Sequence, residues 1–174
     1  VIVQRLMNQF NMLDNLLLYH GLGTGKTLAS IGISQELKHS SKQCICLFQN
    51  QLHKQNFIQS LEKFNFIDTD NYYHFSTFIA FSNILERKTD LQLIQEYSNT
   101  LFIMDEVHNL SVDGMYASMY LADNLQDILD VIKSNSYKQL FRLLHLVKSK
   151  RLLMLSGSPM EANTYSLADI LNLG

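Results

Sequence analysis

Three glycines within five consecutive residues, followed at once by a lysine and a threonine, constrain this chain more than any other feature. The segment His20–Thr27 reads HGLGTGKT and directly follows the apolar run Leu16–Tyr19. Glycines let the backbone turn closely around an anion with successive N–H groups pointing inward, and a helix N-terminus adds partial positive charge. The segment therefore predicts a strand, a phosphate-binding turn and a helix, in that order.

Two side chains of this loop are expected to carry its chemistry. Lys26 would reach the β- and γ-phosphates of a nucleotide, and the Thr27 hydroxyl would ligate Mg²⁺. The general pattern has glycine where this chain has His20, so the match is to the shorter Gly-x-Gly-Lys-Thr core. A glycine-rich turn without a ligand is the alternative. The predicted nucleotide contacts are Gly21, Leu22, Gly23, Thr24, Gly25, Lys26 and Thr27.

Hydrophobic patterning predicts an α/β domain. Short apolar runs bounded by polar or turn residues are typical of buried parallel strands. These runs are Leu16–Tyr19, Cys44–Phe48, Leu101–Met104 and Leu152–Leu155. Apolar spacing near 3.6 residues predicts helices over Thr27–Lys38, Leu52–Phe64 and Tyr137–Val147. Strands that alternate with helices indicate a parallel sheet covered by helices on both faces.

Composition narrows the class of protein further. With 174 residues, 47% of them hydrophobic and 17% charged, the chain is expected to form one domain over residues 1–174. No apolar run approaches the roughly 18 to 20 residues that a membrane-spanning helix needs, so no membrane partner is expected. Cys44 and Cys46 are predicted to be small buried hydrophobes in a reducing, intracellular compartment. The start at Val1, without Met or a signal peptide, is interpreted as that of a fragment of a longer protein.

Charge is unevenly distributed along the chain. Residues 105–130 contain six acids and no Lys or Arg, whereas residues 133–151 contain six bases and no acid. Such a basic stretch fits a phosphate backbone or an acidic partner. It equally fits a solvated helix face with a basic C-terminal turn, which the helix dipole favours. The net charge of −2 favours the solvated face.

Two further strand ends carry candidate functional residues. Asp105 and Glu106 follow the run Thr100–Met104. Asp105 is expected to hold Mg²⁺ through water, and Glu106 to orient the water that attacks the γ-phosphate or to accept its proton. Capping of a strand end is the alternative. His108 is a candidate for coupling hydrolysis to nucleic acid contact, and a loop histidine without a task is its alternative.

The run Arg151–Leu155 ends in Ser156, Gly157, Ser158 and Pro159. The small hydroxyls of this turn could hydrogen-bond the acidic pair and sense the γ-phosphate. By itself, the segment is also an ordinary strand-to-loop turn.

In this order, the three segments resemble the first RecA-like domain of a superfamily 2 helicase or translocase, a P-loop NTPase. Gly21–Thr27 resembles motif I (Walker A), the DEVH box Asp105–His108 resembles motif II in its DExH form, and Ser156–Met160 resembles motif III. Ser158 replaces the threonine usual in motif III and keeps the hydroxyl. The run Leu16–Thr27 is similar to the DEAH/Snf2-like ATPases of large nucleocytoplasmic DNA viruses, a group that includes poxvirus transcription proteins.

Other positions correspond to the family's motifs less closely. Cys44–Phe48 occupies the place of motif Ia, and Phe75–Phe78 corresponds to motif Ib. Gln4, upstream of the glycine loop, is a candidate for the glutamine that reads adenine, with an exposed helix glutamine as the alternative.

The resemblance implies a fold and an activity. It implies a sheet in which the motif III strand lies between the P-loop strand and the motif II strand. It also implies ATP and Mg²⁺ bound between two RecA-like domains, the second of which supplies arginine fingers worth about 10³- to 10⁵-fold in rate. A fragment with the first domain alone is then expected to hydrolyse ATP very poorly.

Three functions are compatible with these features. The first is an ATP-dependent helicase or translocase on DNA or RNA. The second is a viral transcription initiation or termination factor that uses ATP as an assembly switch without unwinding, with a viral RNA polymerase as partner and a virion or viral factory as location. The third is a P-loop NTPase unrelated to nucleic acid, such as a kinase or an AAA+ protein, which the DEVH and Ser-Gly-Ser-Pro segments disfavour.

Overall fold

A parallel sheet lies at the centre of the computed structural model. The structure describes residues 14–19, 25–66, 71–110, 125–157 and 170–174. For residues 109 and 125–134 it describes the backbone alone. Within these ranges, the strands are β1 (Asn15–Tyr19), β2 (Gln43–Phe48), β3 (Tyr73–Thr77), β4 (Thr100–Met104) and β5 (Arg151–Ser156). The helices are α1 (Lys26–Leu37), α2 (Gln51–Lys63), α3 (Phe78–Glu86), α4 (Asp90–Tyr97) and α5 (Leu125–Leu146), with a 3₁₀ turn at Val107–Leu110.

The order of the strands across the sheet is β1-β5-β4-β2-β3, and every pairing is parallel. Leu17 of β1 lies opposite Met154 of β5, and Met154 lies opposite Met104 of β4. The predicted place of β5, between the strand before the glycine loop and the strand before the acidic pair, is thus confirmed. Because the strands are parallel, the carboxyl ends of β1, β5 and β4 lie at one edge of the sheet.

Both faces of the sheet are covered, as predicted. Alternate side chains of β4 and β5 point to opposite faces. One face packs Phe102, Met104 and Leu152 against α3, α4 and α5. The other face packs Ile103 and Leu153 against α1 and α2. This two-sided burial explains why these strands are continuous apolar runs.

The predicted strands are confirmed with bounds that differ by a residue at one or both ends. The patterning missed β3, α3 and α4. Strand β3 lies at the edge of the sheet and includes an exposed His74, so its apolar run is interrupted. Helices α3 and α4 have 9 and 8 residues, too few to establish a helical period. Helix α5 begins at Leu125, well before the predicted start at Tyr137.

Helix α5 accounts for much of the basic stretch. Its buried leucines, Leu140, Leu143 and Leu144, join the core beside α3 and α4. Arg142 donates from Nε to Asp90 Oδ1 at 2.8 Å and from Nη2 to the carbonyl of Lys88 at 3.0 Å. This arginine therefore connects α5 to the turn between α3 and α4, which fits a structural role for that part of the basic stretch.

The two cysteines lie on β2 within the core of the α1 and α2 face. Cys44 and Cys46 are buried thiols whose sulfur atoms lie 3.7 Å apart, in agreement with the prediction of small buried hydrophobes. Across the ranges that the structure describes, no helix combines the length and the apolar character needed to cross a membrane.

Candidate functional site

The candidate site lies where the carboxyl ends of β1, β5 and β4 meet. Gly25 precedes α1 in a left-handed conformation, with φ of 86° and ψ of 23°, a backbone geometry that glycine adopts without strain. Its carbonyl accepts the backbone N–H of Ala29 at 2.9 Å, so the helix begins at once. Lys26 is the first residue of α1 and points toward the loop that follows β4.

Lys26 and Glu106 form an ion pair at this edge. Lys26 Nζ donates to Glu106 Oε1 at 3.0 Å, across 80 positions of sequence. Their side chains are only 10% and 14% exposed. Such shielding strengthens the attraction between the two charges relative to an exposed pair. Two residues that the sequence analysis assigned to the nucleotide site are thus in direct contact.

Glu106 has a constrained backbone and several partners. Its φ of 54° places it in the left-handed region, which is uncommon for a residue other than glycine. Its Oε2 accepts the backbone N–H of Gly157 at 3.2 Å. Burial raises the pKa of Glu106, but the hydrogen bonds from Lys26 and Gly157 and the charge of Lys26 outweigh it, so the pKa lies below its usual value.

Gly157 lies close to this ion pair, with little room for a side chain. A Cβ atom at position 157 would lie 3.0 Å from Lys26 Nζ and 3.7 Å from Glu106 Oε2. The end of β5 thus comes near enough to the ion pair for the Gly157 N–H to donate to Glu106.

His108 connects the ends of β4 and β5. Its Nδ1 lies 3.0 Å from Ser156 Oγ and 3.4 Å from Glu106 Oε2. The structure thus brings three of the residues predicted to couple the nucleotide site to nucleic acid, His108, Ser156 and Gly157, close to the Glu106 carboxylate.

Asp105 lies on the β2 side of the site. Its backbone N–H donates to the carbonyl of Leu47 at 2.9 Å, and its Oδ2 lies 3.9 Å from His53 Nδ1. Burial and then the neighbouring charge of Glu106 raise the pKa of Asp105. Thr27, the second residue of α1, is half-buried.

The residues present fit a magnesium ion bound together with a nucleotide. Mg²⁺ is usually held by one or two carboxylates, phosphate oxygens and water rather than by a cage of protein ligands. Among the described residues, no group of three or more His, Cys, Asp or Glu is placed to hold a metal ion. The Asp105 carboxylate and the Thr27 hydroxyl are oxygen donors of the kind that Mg²⁺ prefers.

Several predicted residues lie outside the described ranges. These are Gln4, Gly21, Leu22, Gly23, Thr24 and Ser158. Of the less specific segments, Cys44–Phe48 forms most of β2, and Phe75–Phe78 spans the end of β3 and the start of α3. Within the latter, Thr77 caps α3 by accepting the N–H of Ala80 at 3.2 Å.

The sequence analysis missed His53. It lies in the first turn of α2, three residues after the cap at Asn50, and reaches the site because β2 is adjacent to β4. Its position shortly after the segment assigned to motif Ia was a signal that could have indicated a role at the site. The hydrophobic pattern alone, however, did not show that β2 lies beside β4, so His53 was not connected with Asp105.

Comparison with known proteins gives concordant matches. A family model described as "Type III restriction enzyme, res subunit" matches residues 1–161. The chain is 26% identical over 204 residues to "Putative helicase 087L" of Invertebrate iridescent virus 3, covering 99% of this chain and 19% of that protein. It is 27% identical over 180 residues to "Putative ATP-dependent RNA helicase" of Heliothis virescens ascovirus 3e, covering 92% of this chain and 17% of that protein. The chain thus spans about a fifth of the length of these curated relatives.

A solved structure shares the fold. The structure described as "Sulfolobus solfataricus SWI2/SNF2 ATPase core in complex with dsDNA" matches 98% of this chain and 33% of its own, with a TM-score of 0.62 and 19% identity. At this identity, the likeness concerns the fold.

Proposed function

From the family to which the chain belongs, that of the type III restriction enzyme res subunits, we propose its function. The chain is a RecA-like domain of the superfamily 2 helicases. We propose that it is the first motor domain of an ATP-dependent nucleic acid helicase or translocase. One observation carries the proposal. The ends of three adjacent parallel strands bring Lys26, Glu106 and Gly157 into one cluster. The family assignment also disfavours the kinase and AAA+ alternatives.

Lys26 and Glu106 are proposed to exchange partners when a nucleotide binds. Lys26 would leave Glu106 for the β- and γ-phosphates, which are stronger anionic partners for its ammonium group. Glu106 would then be free to orient the attacking water and to accept its proton. Its lowered pKa keeps it ionised near neutral pH, as a proton acceptor must be.

Thr27 and Asp105 are the residues proposed to hold Mg²⁺ beside the nucleotide. When bound, this ion would supply positive charge that neutralises the phosphates. The contribution of the chain is to present two oxygen ligands at one edge of the sheet, with Asp105 fixed there by the hydrogen bond from its backbone N–H to Leu47.

His108 and Ser156 are proposed to transmit the state of this site to bound nucleic acid. Their 3.0 Å contact joins the end of β4 to the end of β5, so a shift of Glu106 or Gly157 would alter both strand ends together. The nucleic acid partner, DNA or RNA, is inferred from relatives named as helicases and from the duplex DNA in complex with the Sulfolobus ATPase core.

A second RecA-like domain of the same protein is proposed to complete the catalytic site. The relatives are about five times longer than this chain, which leaves room for that domain in a longer parent protein. The first domain alone would hydrolyse ATP very poorly, because arginine fingers contribute about 10³- to 10⁵-fold to phosphoryl transfer. Because the relatives are viral, we infer that the parent acts inside infected cells, in a viral factory or virion.

The test is the ATPase rate of the full-length protein that contains this chain, measured alone and with single-stranded DNA, RNA or duplex DNA. We expect one nucleic acid to stimulate the rate. Lys26→Ala should lower it by about 10²- to 10³-fold, the usual loss when one electrostatic contact to the reacting group is removed. Lys63→Ala, at an exposed lysine of α2, is the matched control and should retain the rate.

Two other results would change the interpretation. A Lys26-dependent rate that is indifferent to every nucleic acid would favour the alternative of an ATP-switched viral transcription factor without unwinding. A rate that Lys26→Ala leaves unchanged would contradict the proposed active site.

A further inference from the structure

His53 lies beside Asp105 in an arrangement that its role in the fold does not explain. His53 Nδ1 is 3.9 Å from Asp105 Oδ2, and the side chains are 32% and 19% exposed. Although the imidazole is partly exposed, its Nδ1 atom is buried and has no hydrogen-bond partner among the described residues. Leaving a buried polar atom without a partner is unfavourable, so such an atom at a functional site calls for a ligand or a second conformation.

The backbones of both residues are fixed by neighbouring hydrogen bonds. Asn50 Oδ1 accepts the backbone N–H of His53 at 3.0 Å, which caps α2 and sets the start of its first turn. Asp105 donates its own backbone N–H to Leu47 at 2.9 Å. Since Leu47 near the end of β2 and Asn50 at the cap of α2 are only three residues apart, this short stretch holds the backbones of His53 and Asp105 in register with each other. Only the side-chain torsions remain to be set.

The separation of 3.9 Å is too long for a direct hydrogen bond but short enough for a small rotation of either side chain to make one. A bond from Nδ1 to Oδ2 would satisfy the buried nitrogen and occupy one carboxylate oxygen. The other oxygen, Oδ1, would then be left for a metal ion or its water. Metal-ligating carboxylates are generally held by such second hydrogen bonds, whose loss costs about 10- to 100-fold in metal affinity.

We propose that His53 is a positioning residue, which donates from Nδ1 to Asp105 Oδ2 and holds this carboxylate in the orientation that binds the Mg²⁺ of the nucleotide complex. The proposal rests on the proposed function, since it assigns a partner to the Asp105 of the same site. In this role His53 acts through Asp105.

The experiment measures the dependence of nucleotide binding on Mg²⁺ in the full-length protein. A fluorescent ADP analogue is titrated in EDTA and then at increasing Mg²⁺, for the wild type, His53→Leu, His53→Asn and His53→Gln. The asparagine amide can occupy the place of Nδ1, whereas the glutamine amide reaches the place of the other ring nitrogen. Lys26→Ala serves as a reference for loss of a phosphate contact.

We expect His53→Leu to raise the Mg²⁺ concentration for half-maximal binding by about 10- to 100-fold, with the affinity in EDTA unchanged. His53→Gln should behave like His53→Leu, and His53→Asn should lie within a few-fold of the wild type. This rescue separates positioning from packing, because leucine and glutamine fill the site without a donor at Nδ1.

Three results would overturn the proposal. His53→Leu could keep the wild-type dependence on Mg²⁺, could lose affinity equally in EDTA, or could go unrescued by His53→Asn. If the wild type itself binds the nucleotide without any dependence on Mg²⁺, the proposed function fails and the role of His53 fails with it. Normal Mg²⁺ dependence in the wild type, with no effect of His53→Leu, overturns the role of His53 alone.

Discussion

At the scale of single residues, Glu106 organises the site. One carboxylate receives the ammonium of Lys26 and the N–H of Gly157 and lies 3.4 Å from His108 Nδ1. Its positive φ turns the chain directly after β4, so the side chain points across β5 toward α1. Without a nucleotide, the charges of Lys26 and Glu106 thus compensate each other in a partly buried position.

This pairing predicts a dependence of stability on pH. The pKa of Glu106 is below its usual value of 4.5 in the folded chain, so the stability that it contributes is present above that pH and is lost as the pH falls through the lower folded value. Lys26→Ala removes the largest cause of that lowering. The difference in free energy of unfolding between the wild type and Lys26→Ala should therefore be largest near neutral pH and shrink below about pH 4.5. Urea denaturation from acidic to neutral pH measures it.

The control for this prediction is the same lysine substitution in a Glu106→Gln background. Without an ionisable group at position 106, the effect of Lys26→Ala should depend on pH much less, because only the influence of the Lys26 charge on the neighbouring Asp105 is left. An equal pH dependence in both backgrounds would show that another carboxylate is responsible.

At the scale of secondary structure elements, helix α1 is docked on the sheet by a buried polar contact as well as by apolar packing. The Tyr73 hydroxyl on the edge strand β3 lies 2.7 Å from Ser34 Oγ and accepts a hydrogen bond from Gln35 Nε2 at 2.7 Å. Tyr73 also stacks on Phe75, with ring centroids 5.8 Å apart. The helix that begins at the nucleotide loop is therefore attached at its far end to β3, at the opposite edge of the sheet from the strand that precedes the loop.

Tyr73→Phe should show what this contact contributes. Burial raises the pKa of Tyr73 above 10.0, so its contribution to stability is complete below pH 10.0 and is lost as the pH rises through the higher folded value. The substitution should cost about 1 kcal/mol at neutral pH, and this deficit should diminish at strongly alkaline pH. Chemical denaturation of the wild type and of Tyr73→Phe, from neutral to alkaline pH, measures the deficit in free energy of unfolding at each pH. Tyr19→Phe, at a tyrosine that is 61% exposed, is the control and should follow the wild-type profile.

At the scale of the whole molecule, stability depends on two cores separated by the sheet. Leu152 and Leu153 are consecutive residues of β5, both fully buried, yet they belong to opposite cores. The first packs with α3, α4 and α5, and the second with α1 and α2. Since β5 lies between the strands that lead to the glycine loop and the acidic pair, both cores support the same edge of the sheet.

Leu152→Ala and Leu153→Ala should therefore each lower the free energy of unfolding by about 2 to 5 kcal/mol, the usual cost of a cavity in a packed core. Leu171→Ala, at a leucine that is 58% exposed, should change it by less than about 0.5 kcal/mol. Equilibrium urea unfolding compares the three. A small effect at either buried position would contradict the two-sided burial of the central strands.

The sequence by itself determined the class of fold, the order of its main elements and the residues that carry the proposed chemistry. Hydrophobic periodicity and turn chemistry are local properties of a sequence. They were therefore enough to predict the glycine loop, the strand followed by Asp105 and Glu106, and the strand that ends at Ser156. The resemblance to helicases added the order of these strands across the sheet. Helices α3 and α4 were too short for a period, and β3 lacked a continuous apolar run.

Only the tertiary structure decided which side chains meet. The pairing of Lys26 with Glu106 joins residues 80 positions apart, and that of His108 with Ser156 joins residues 48 apart. His53 reaches Asp105 because β2 is paired with β4. Such contacts follow from the order and register of parallel strands and from the left-handed turn at Glu106. These depend on packing across the whole sheet, which no local pattern of residues contains.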